Sequence, residues 1–255
     1  MPILNYNNDD GQMVEPEYYL PIIPHVLLNG GRGIGTGFSY EGQAFNIDDI
    51  ITYTKNKISG VSNDKNIELH PHFENFNGKV IKNYMGNKKK YLVKGTYKII
   101  SADTIKITEL PIGTWTTDYN EFLESLMNDK TKNGKAKKPL IKKKIDLCTD
   151  VDVDFTLKFY PGVLPDLLSK QVDEHTNKLE KELRLVTKKS LTNMNLFTYK
   201  HRLKKYDSVY DIIDDYYKIR LLGYVKRKKY QIKNLEYETK KLTNKARFIL
   251  EPVSY

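Results

Sequence analysis

A single cysteine, Cys148, stands in 255 residues, so no disulfide can close within the chain, and the usage fits a reducing compartment. No apolar run approaches the roughly 18 residues that a membrane-crossing helix needs. The opening stretch, MPILNYNNDDGQ, is polar and acidic and lacks the charge and apolar regions of a secretory leader. Acidic residues are in deficit: 32 Asp and Glu face 42 Lys and Arg, for a net charge of +10. That excess points to polyanions as partners before membrane surfaces. Helix breakers nearly vanish from the last quarter, where 207 to 250 holds no proline and one glycine, Gly223. Ile212, Ile213, Tyr216, Tyr217, Ile219 and Leu222 recur there at helical spacing, followed by Tyr230, Leu235, Leu242, Phe248 and Ile249. The pattern predicts one helix of about 65 Å at 1.5 Å per residue, the length of a coiled-coil arm.

The rest of the chain is punctuated more often. ILNYNNDDGQMVEPEYYLP reads as loop, as if the chain were a fragment or a split subunit. Pro21 and Pro24 within EYYLPIIPHVLL exclude a helix interior or central strand and predict an extended, buried approach. A helix follows, capped by Asn46 or Asp48, lined by Ile47, Ile50, Ile51 and Ile58, and stopped by Gly60. Residues 61–78 are loop-like. GKVIKNYM, KKKYLVKGTYKII and TIKITEL then alternate as short strands. Asp118 and Glu121 have capping-box spacing for a helix over YNEFLESLMN. DKTKNGKAKKP is a polar, lysine-rich loop, VDVDFTLKFYP a strand, 165–183 an amphipathic helix led by Pro165, and RLVTKKSLTNMNLF strand or loop.

LLNGGRGIGTGFS places five glycines between Gly30 and Gly37, around one stiff apolar residue, Ile34. It fits neither the dinucleotide nor the P-loop glycine pattern, and no lysine follows at the required place. A tight turn with positive φ at several glycines would account for the glycines but not for Ile34. A permissive backbone around one wedge suits a DNA groove, where apolar side chains inserted between base steps kink the duplex at a cost of about a few kcal/mol per step.

EPEYYLPIIPHVLLNGGRGIGTGFS resembles the signature of type IIA DNA topoisomerases of the eukaryotic and large-DNA-virus type. TIKITELPIGTWTTDY resembles that family's tower strand and its E-L-P-x-x-T-W turn. SLTNMNLF, LKKYDSVYDIIDDYYKIRL and LTNKARFILE resemble the tower's DNA-facing segment and the helix leading to the C-gate. The resemblance implies an α+β fold: a mixed tower domain of antiparallel strands and helices, followed by a long coiled-coil helix. Residues 1–40 would be the tail of a winged-helix domain, 41–206 the tower and 207–255 the C-gate helix.

By this resemblance Ile34 intercalates and kinks the gate DNA, with Arg32, Gly33, Gly35 and Thr36 beside it. Arg184, Lys188, Lys189, Ser190, Thr192 and Asn193 fall in a DNA-contacting stretch and are suitable donors to phosphate oxygens. The family's nucleophile is a tyrosine directly after an arginine, upstream of EPE. No Arg-Tyr pair occurs in this sequence, so no catalytic residue is expected here. Mg²⁺ and ATP would be bound outside this chain, and double-stranded DNA, a homodimer mate or a complementary N-terminal part would be its partners. The nucleus, or for a virus the host cytoplasm, viral factory or virion, would be its compartment. The lysine-, asparagine-, isoleucine- and tyrosine-heavy usage hints at an AT-rich genome such as that of a large DNA virus or a protist.

Other clusters are expected to be structural. Asp150, Asp152 and Asp154 imitate a Mg²⁺ carboxylate set, but they align with a tower strand and read as its solvated face. His70 and His72 lack a nearby third ligand and read as a surface loop. Cys148 reads as a buried small residue. The rival reading is a non-enzymatic architectural protein that bends duplex without cutting. A third is a coiled-coil adaptor.

Overall fold

The computed structural model describes residues 3–60, 67–85, 88–129 and 138–251. The lysine-rich loop expected after Asp129 and part of the loop expected over 61–78 lie outside these residues. The chain divides into two compact units, one of residues 1–28, 47–67 and 195–255, the other of 29–46 and 68–194. The fold is α+β with antiparallel strand pairing in every sheet.

The first unit opens with a hairpin, β1 (Tyr6–Asp9) and β2 (Gln12–Pro16), where the sequence suggested loop. Its turn residues Asp10 and Gly11 both take positive φ, 46° and 87°, the geometry that favours a two-residue hairpin connection. The Asn8 side chain accepts from the Gly11 amide at 2.8 Å. Downstream, the segment expected to be extended and buried instead forms a short helix, α1 (His25–Asn29), with Ile22 and Tyr19 exposed and Ile23 and Leu27 buried. Pro24 lies just ahead of that helix, where its missing N–H costs no intrahelical bond.

Helix α2 (Ile47–Ile58) forms as its pattern predicts, and Gly60 follows it at φ +68°. Ile50 and Tyr53 carry the buried face, while Ile47 and Ile58 are exposed. After the later β-strands of the second unit, a small hairpin (Asn195–Phe197 with Leu203–Lys205) precedes the long helix at Val209–Leu250. Ser208 caps that helix, accepting from the Asp211 amide at 3.2 Å. Its 42 residues span about 63 Å. Only its first turns are buried, through Val209, Ile212 and Ile213. They are held by Tyr53, whose hydroxyl donates to Asp214 at 3.2 Å and whose ring lies 5.3 Å from that of Tyr210. Tyr216 and Arg220 donate to the carbonyls of Pro21 and Leu20, at 2.5 and 2.6 Å.

The second unit contains a glycine-rich hairpin, β3 (Gly31–Gly35) and β4 (Phe38–Gly42). Strands β5 (Lys79–Met85) and β6 (Lys88–Lys94) follow, then β7 (Thr96–Ser101) and β8 (Thr104–Glu109). The expected single run KKKYLVKGTYKII breaks at Gly95, and its halves join different sheets, β6 a three-stranded sheet and β7 a four-stranded one. Gly95 donates its amide to Leu185 at 2.9 Å, and any Cβ there would overlap the Glu109 carbonyl.

Helix α3 (Thr116–Met127) starts at Trp115, with no side-chain cap. The expected capping box of Asp118 and Glu121 therefore does not form. A turn over 111–114, with Gly113 at φ +88° and Thr114 bonded back to Pro111 at 3.0 Å, delivers the chain into helix early. Asp118 is left in the first turn, where its charge complements the helix dipole. Strands β9 (Ile141–Asp146) and β10 (Phe155–Phe159) close the order β7-β8-β10-β9. Residues 150–154 are a turn rather than the expected strand, because Thr149 binds the amides of Val151 and Asp152 at 3.3 and 2.9 Å.

The expected helix over 165–183 is two short ones. Helix α4 (Val163–Ser169) and helix α5 (Lys178–Glu182) are separated by β11 (Gln171–Asp173) and β12 (Thr176–Asn177). Asp173 accepts from the His175 amide at 3.0 Å, turning the chain, and Asn177 and Glu180 make a full capping box that restarts it as helix. β13 (Val186–Ser190) then completes the sheet β13-β6-β5. The core is Ile105, Ile107, Phe155, Leu157, Phe159, Leu123 and Leu183, each fully buried, with neighbours from α4 and α5. Cys148 packs partly against it, and burial pushes its thiol up to about 11.

Gly95→Ala is expected to destabilise the protein by about 1–3 kcal/mol through overpacking against backbone, measured as a lower denaturation midpoint. An unchanged midpoint would show that β6 and β7 can separate without it.

Candidate nucleic-acid interface

The glycine segment is a hairpin with aromatic rings over its glycines on one face and larger side chains on the other. Its ladder pairs Gly31 with Gly42, Arg32 with Glu41, Gly33 with Tyr40, Ile34 with Ser39 and Gly35 with Phe38. Strand alternation therefore puts Arg32, Ile34, Ser39 and Glu41 on one side and the glycines, Phe38 and Tyr40 on the other. A Cβ on Gly35 would come within 2.6 Å of the Phe38 ring, and one on Gly42 would overlap the Tyr40 ring. These glycines thus make room for two aromatic rings lying flat on the strands. A Cβ on Gly30, which takes φ +63°, would meet the backbone of Ala44 and Gly42 at 3.0 Å, and Gly37 supplies the positive φ of the two-residue turn. Gly33 and Gly35 do not have positive φ, so the segment is an ordered ribbon rather than the loose loop expected. Ile34 is left 80% exposed on the opposite side.

The ribbon is tied to the basic strand. Glu41 donates its amide to the Asn193 carbonyl at 2.8 Å, and Tyr40 bridges to Met194. Burial pushes the Tyr40 hydroxyl up to about 12. Leu191 and Met194 are buried anchors, and Thr192 and Asn193 between them are exposed. The Ser190 and Thr192 hydroxyls meet at 2.9 Å. So Arg32, Ile34, Ser190, Thr192 and Asn193 belong to one connected element.

Arg184 and Lys188 lie elsewhere on the same unit. They line a cleft of about 520 Å³ with Trp115, Phe122, Lys181 and Asp173. Arg184 takes φ +52°, just past the end of α5, with its amide on Lys181 at 3.1 Å and the Leu185 amide on Glu180 at 2.8 Å. That is a Schellman ending, where glycine is usual. The Arg184 guanidinium lies over the Phe122 ring at 4.1 Å. Lys189 sits on the other side of β13 from Lys188 by alternation, its ammonium 3.7 Å from where a Gly113 Cβ would fall. The expected contacts therefore form two clusters joined by β13. Phe38 and Tyr40, which shape the ribbon, were readable in FSYEG as aromatics alternating with polar residues. Trp115 and Lys181 carried no local signal.

Among the described residues no group of three His, Cys, Asp or Glu side chains could hold a metal ion. Asp154 pairs with Lys106 at 2.8 Å, and the exposed His70 lies 3.6 Å from Glu68. No described helix is long and apolar enough to cross a membrane.

Residues 1–254 match the family model for the A subunit of DNA gyrase/topoisomerase IV. DNA topoisomerase 2 of Bombyx mori is 39% identical over 252 residues, 98% of this chain and 15% of that protein. DNA topoisomerase 2 of Plasmodium falciparum is 38% identical over 253 residues, 99% of this chain and 17% of that protein. The chain thus spans a small part of the length of the curated relatives it matches. A crystal structure of the Plasmodium falciparum topoisomerase II DNA-binding, cleavage and re-ligation domain is similar with a TM-score of 0.84 and 38% identity, over 98% of this chain and 32% of that one.

Two glycines separate ring packing from open approach. Nothing lies within 4 Å of a Cβ on Gly33, so Gly33→Ala is expected to keep or slightly raise stability, by up to about 1 kcal/mol. Gly35→Ala is expected to cost about 1–3 kcal/mol, because the Phe38 ring must move. Equal denaturation midpoints for the two variants would refute the ring-over-glycine packing.

Proposed function

The chain belongs to the family of DNA gyrase/topoisomerase IV A subunits, and from that membership we propose that it is the DNA-binding and DNA-bending part of a type IIA topoisomerase cleavage core. The observation that carries this reading is Ile34, an apolar β-branched side chain held 80% exposed on an ordered ribbon. Leaving it in water has no folding benefit. Inserted between base pairs it finds an apolar partner and unstacks one step. Arg32 and the hydroxyls and amide of Ser190, Thr192 and Asn193 then hold phosphates on the same element, with Lys188 and Lys189 further along β13. Gly33, where nothing lies within 4 Å of an added Cβ, leaves the backbone bare beside Gly35 and Thr36 and lets the main chain come close to the groove. Backbone contacts fix the register, and the kink selects deformable steps.

In the whole enzyme this part would present a bent duplex for cutting, and a second duplex would pass through the break. We assign 1–40 to the tail of a winged-helix domain, 41–206 to the tower and 207–255 to the C-gate helix, in a two-fold dimer. The nucleus is the compartment that the cellular relatives suggest. Strand cutting, with its tyrosine, Mg²⁺ and ATP, is assigned to other parts of the enzyme. Among the described residues no group of three His, Cys, Asp or Glu side chains could hold that Mg²⁺. An architectural protein that only bends DNA is the alternative. Supercoil relaxation after mixing with the complementary N-terminal part distinguishes the two.

Ile34→Ala is expected to keep the salt dependence of duplex affinity, which reports phosphate contacts, while reducing the bend by roughly 20° or more. Energy transfer between labelled duplex ends measures it. An unchanged bend in that variant would overturn the proposed role of Ile34.

A further inference from the structure

Three Asn-Gly pairs occur in the chain, at 29–30, 77–78 and 133–134, with one Asp-Gly pair at 10–11. Such a pair carries its own reagent. The glycine amide nitrogen can attack the side-chain carbonyl ahead of it, and a glycine has no Cβ to shield that nitrogen. Whether a pair reacts depends on what holds its two groups.

Two of the described pairs are held. The Gly11 amide donates to the Asn8 side chain at 2.8 Å, so the attacking nitrogen is engaged. Asn77 donates its amide to Glu109 and accepts on its carbonyl from Thr96, each at 3.2 Å. Gly78 is wedged beside it, where a Cβ would overlap the Lys94 carbonyl and the Phe76 ring. The pair at 133–134 lies outside the described residues.

Asn29 and Gly30 lack such restraint. Asn29 is exposed, and among the described residues no hydrogen bond holds its side chain or the Gly30 amide. Asn29 closes α1, a helix of five residues, and a helix that short has little stability of its own against local opening. Gly30 leaves the helix at φ +63°, a turn that depends on glycine.

We propose that Asn29 is a self-modification site, where deamidation through a succinimide unseats the glycine ribbon. Hydroxide removes the Gly30 amide proton, and the nitrogen bonds to Asn29 Cγ. The Cγ–Nδ2 bond breaks, and ammonia leaves with a proton from water. Water then opens the five-membered ring. Addition at Cγ leaves aspartate. Addition at the main-chain carbonyl leaves isoaspartate, in which the peptide bond runs through Cγ. Isoaspartate puts one more atom into the main chain just ahead of Gly30. The site has no room for it, because a Cβ on Gly30 would already lie 3.0 Å from the Ala44 nitrogen and the Gly42 carbonyl oxygen. The rung pairing Gly31 with Gly42, the first of the β3–β4 ladder, opens in consequence. The chemistry needs only water and does not depend on the DNA-bending reading.

The test ages the whole chain in neutral and in alkaline buffer. Peptide mass mapping with fragmentation places each gain of one dalton, and protein isoaspartate methyltransferase marks the isoaspartate. We expect the gain at Asn29 to precede any at Asn77 and to grow faster in alkaline buffer. Brief trypsin digestion of the folded chain reads the ribbon. Cutting after Arg32 is expected to rise by roughly threefold or more in the aged chain, because proteolysis tracks the population of the opened segment. Asn29→Gln, whose longer side chain cannot close the five-membered ring, is expected to lose both changes while keeping the wild-type melting temperature. Fresh Asn29→Asp adds the charge without the extra atom and is expected to be cut at the fresh wild-type rate. Gain at Asn77 before Asn29, or Asn29 unchanged after ageing, overturns the site. Gain at Asn29 with unchanged cutting after Arg32 overturns the unseating of the ribbon. Fresh Asn29→Asp cut as fast as the aged chain assigns the effect to charge and overturns the backbone insertion.

Discussion

One backbone hydrogen bond, from the Glu41 amide to the Asn193 carbonyl at 2.8 Å, joins the two parts on which the proposed function depends. Without it, the glycine ribbon would be an isolated two-stranded hairpin, which is marginal in water. With it, and with the Tyr40 to Met194 bridge beside it, the ribbon becomes an extension of a segment already anchored by buried Leu191 and Met194. The anchors reach back through β13 to the sheet with β6 and β5. An exposed isoleucine can act as a lever only if its base does not yield. The chain of contacts from Ile34 to the sheet is what stiffens that base.

The glycines serve this rigidity in an unexpected way. Five glycines in eight residues suggest mobility when read as composition. Their positions in the ladder give most of them a steric role instead. Gly35 and Gly42 admit the rings of Phe38 and Tyr40, Gly30 lets the backbone of Gly42 and Ala44 pass, and Gly37 turns the strand. The aromatic rings cover one face of the ribbon and turn Ile34 toward the other. Only Gly33 has open space where a side chain would stand without a positive φ to strain it.

Features with strong local causes were legible in the sequence. The long helix was, because forty residues without proline and with sustained helical spacing leave few alternatives. The helix ending before Gly60 and the alternating strands after Gly78 were legible for the same reason. What escaped was set by side-chain to backbone bonds that periodicity does not see. Asp173, Asn177 and Glu180 split one apparent helix into two. Thr149 turned an apparent strand into a loop, and the turn at Gly113 started α3 before its apparent cap. Asp10-Gly11 was a readable hairpin signal that the polar surroundings obscured. The exposure of Ile34 followed from the motif. The division of the basic residues into a ribbon cluster and a cleft cluster depended on the Schellman ending at Arg184, which places a long cation where glycine is usual.

On the proposed function, the ribbon forces one base step open. A duplex carrying 2-aminopurine at successive positions tests it most directly, because that base brightens when its neighbour is levered away. We expect binding of the wild-type chain to raise the fluorescence at one step and leave steps a few base pairs away dark. Saturated binding with every position still quenched would contradict the claim.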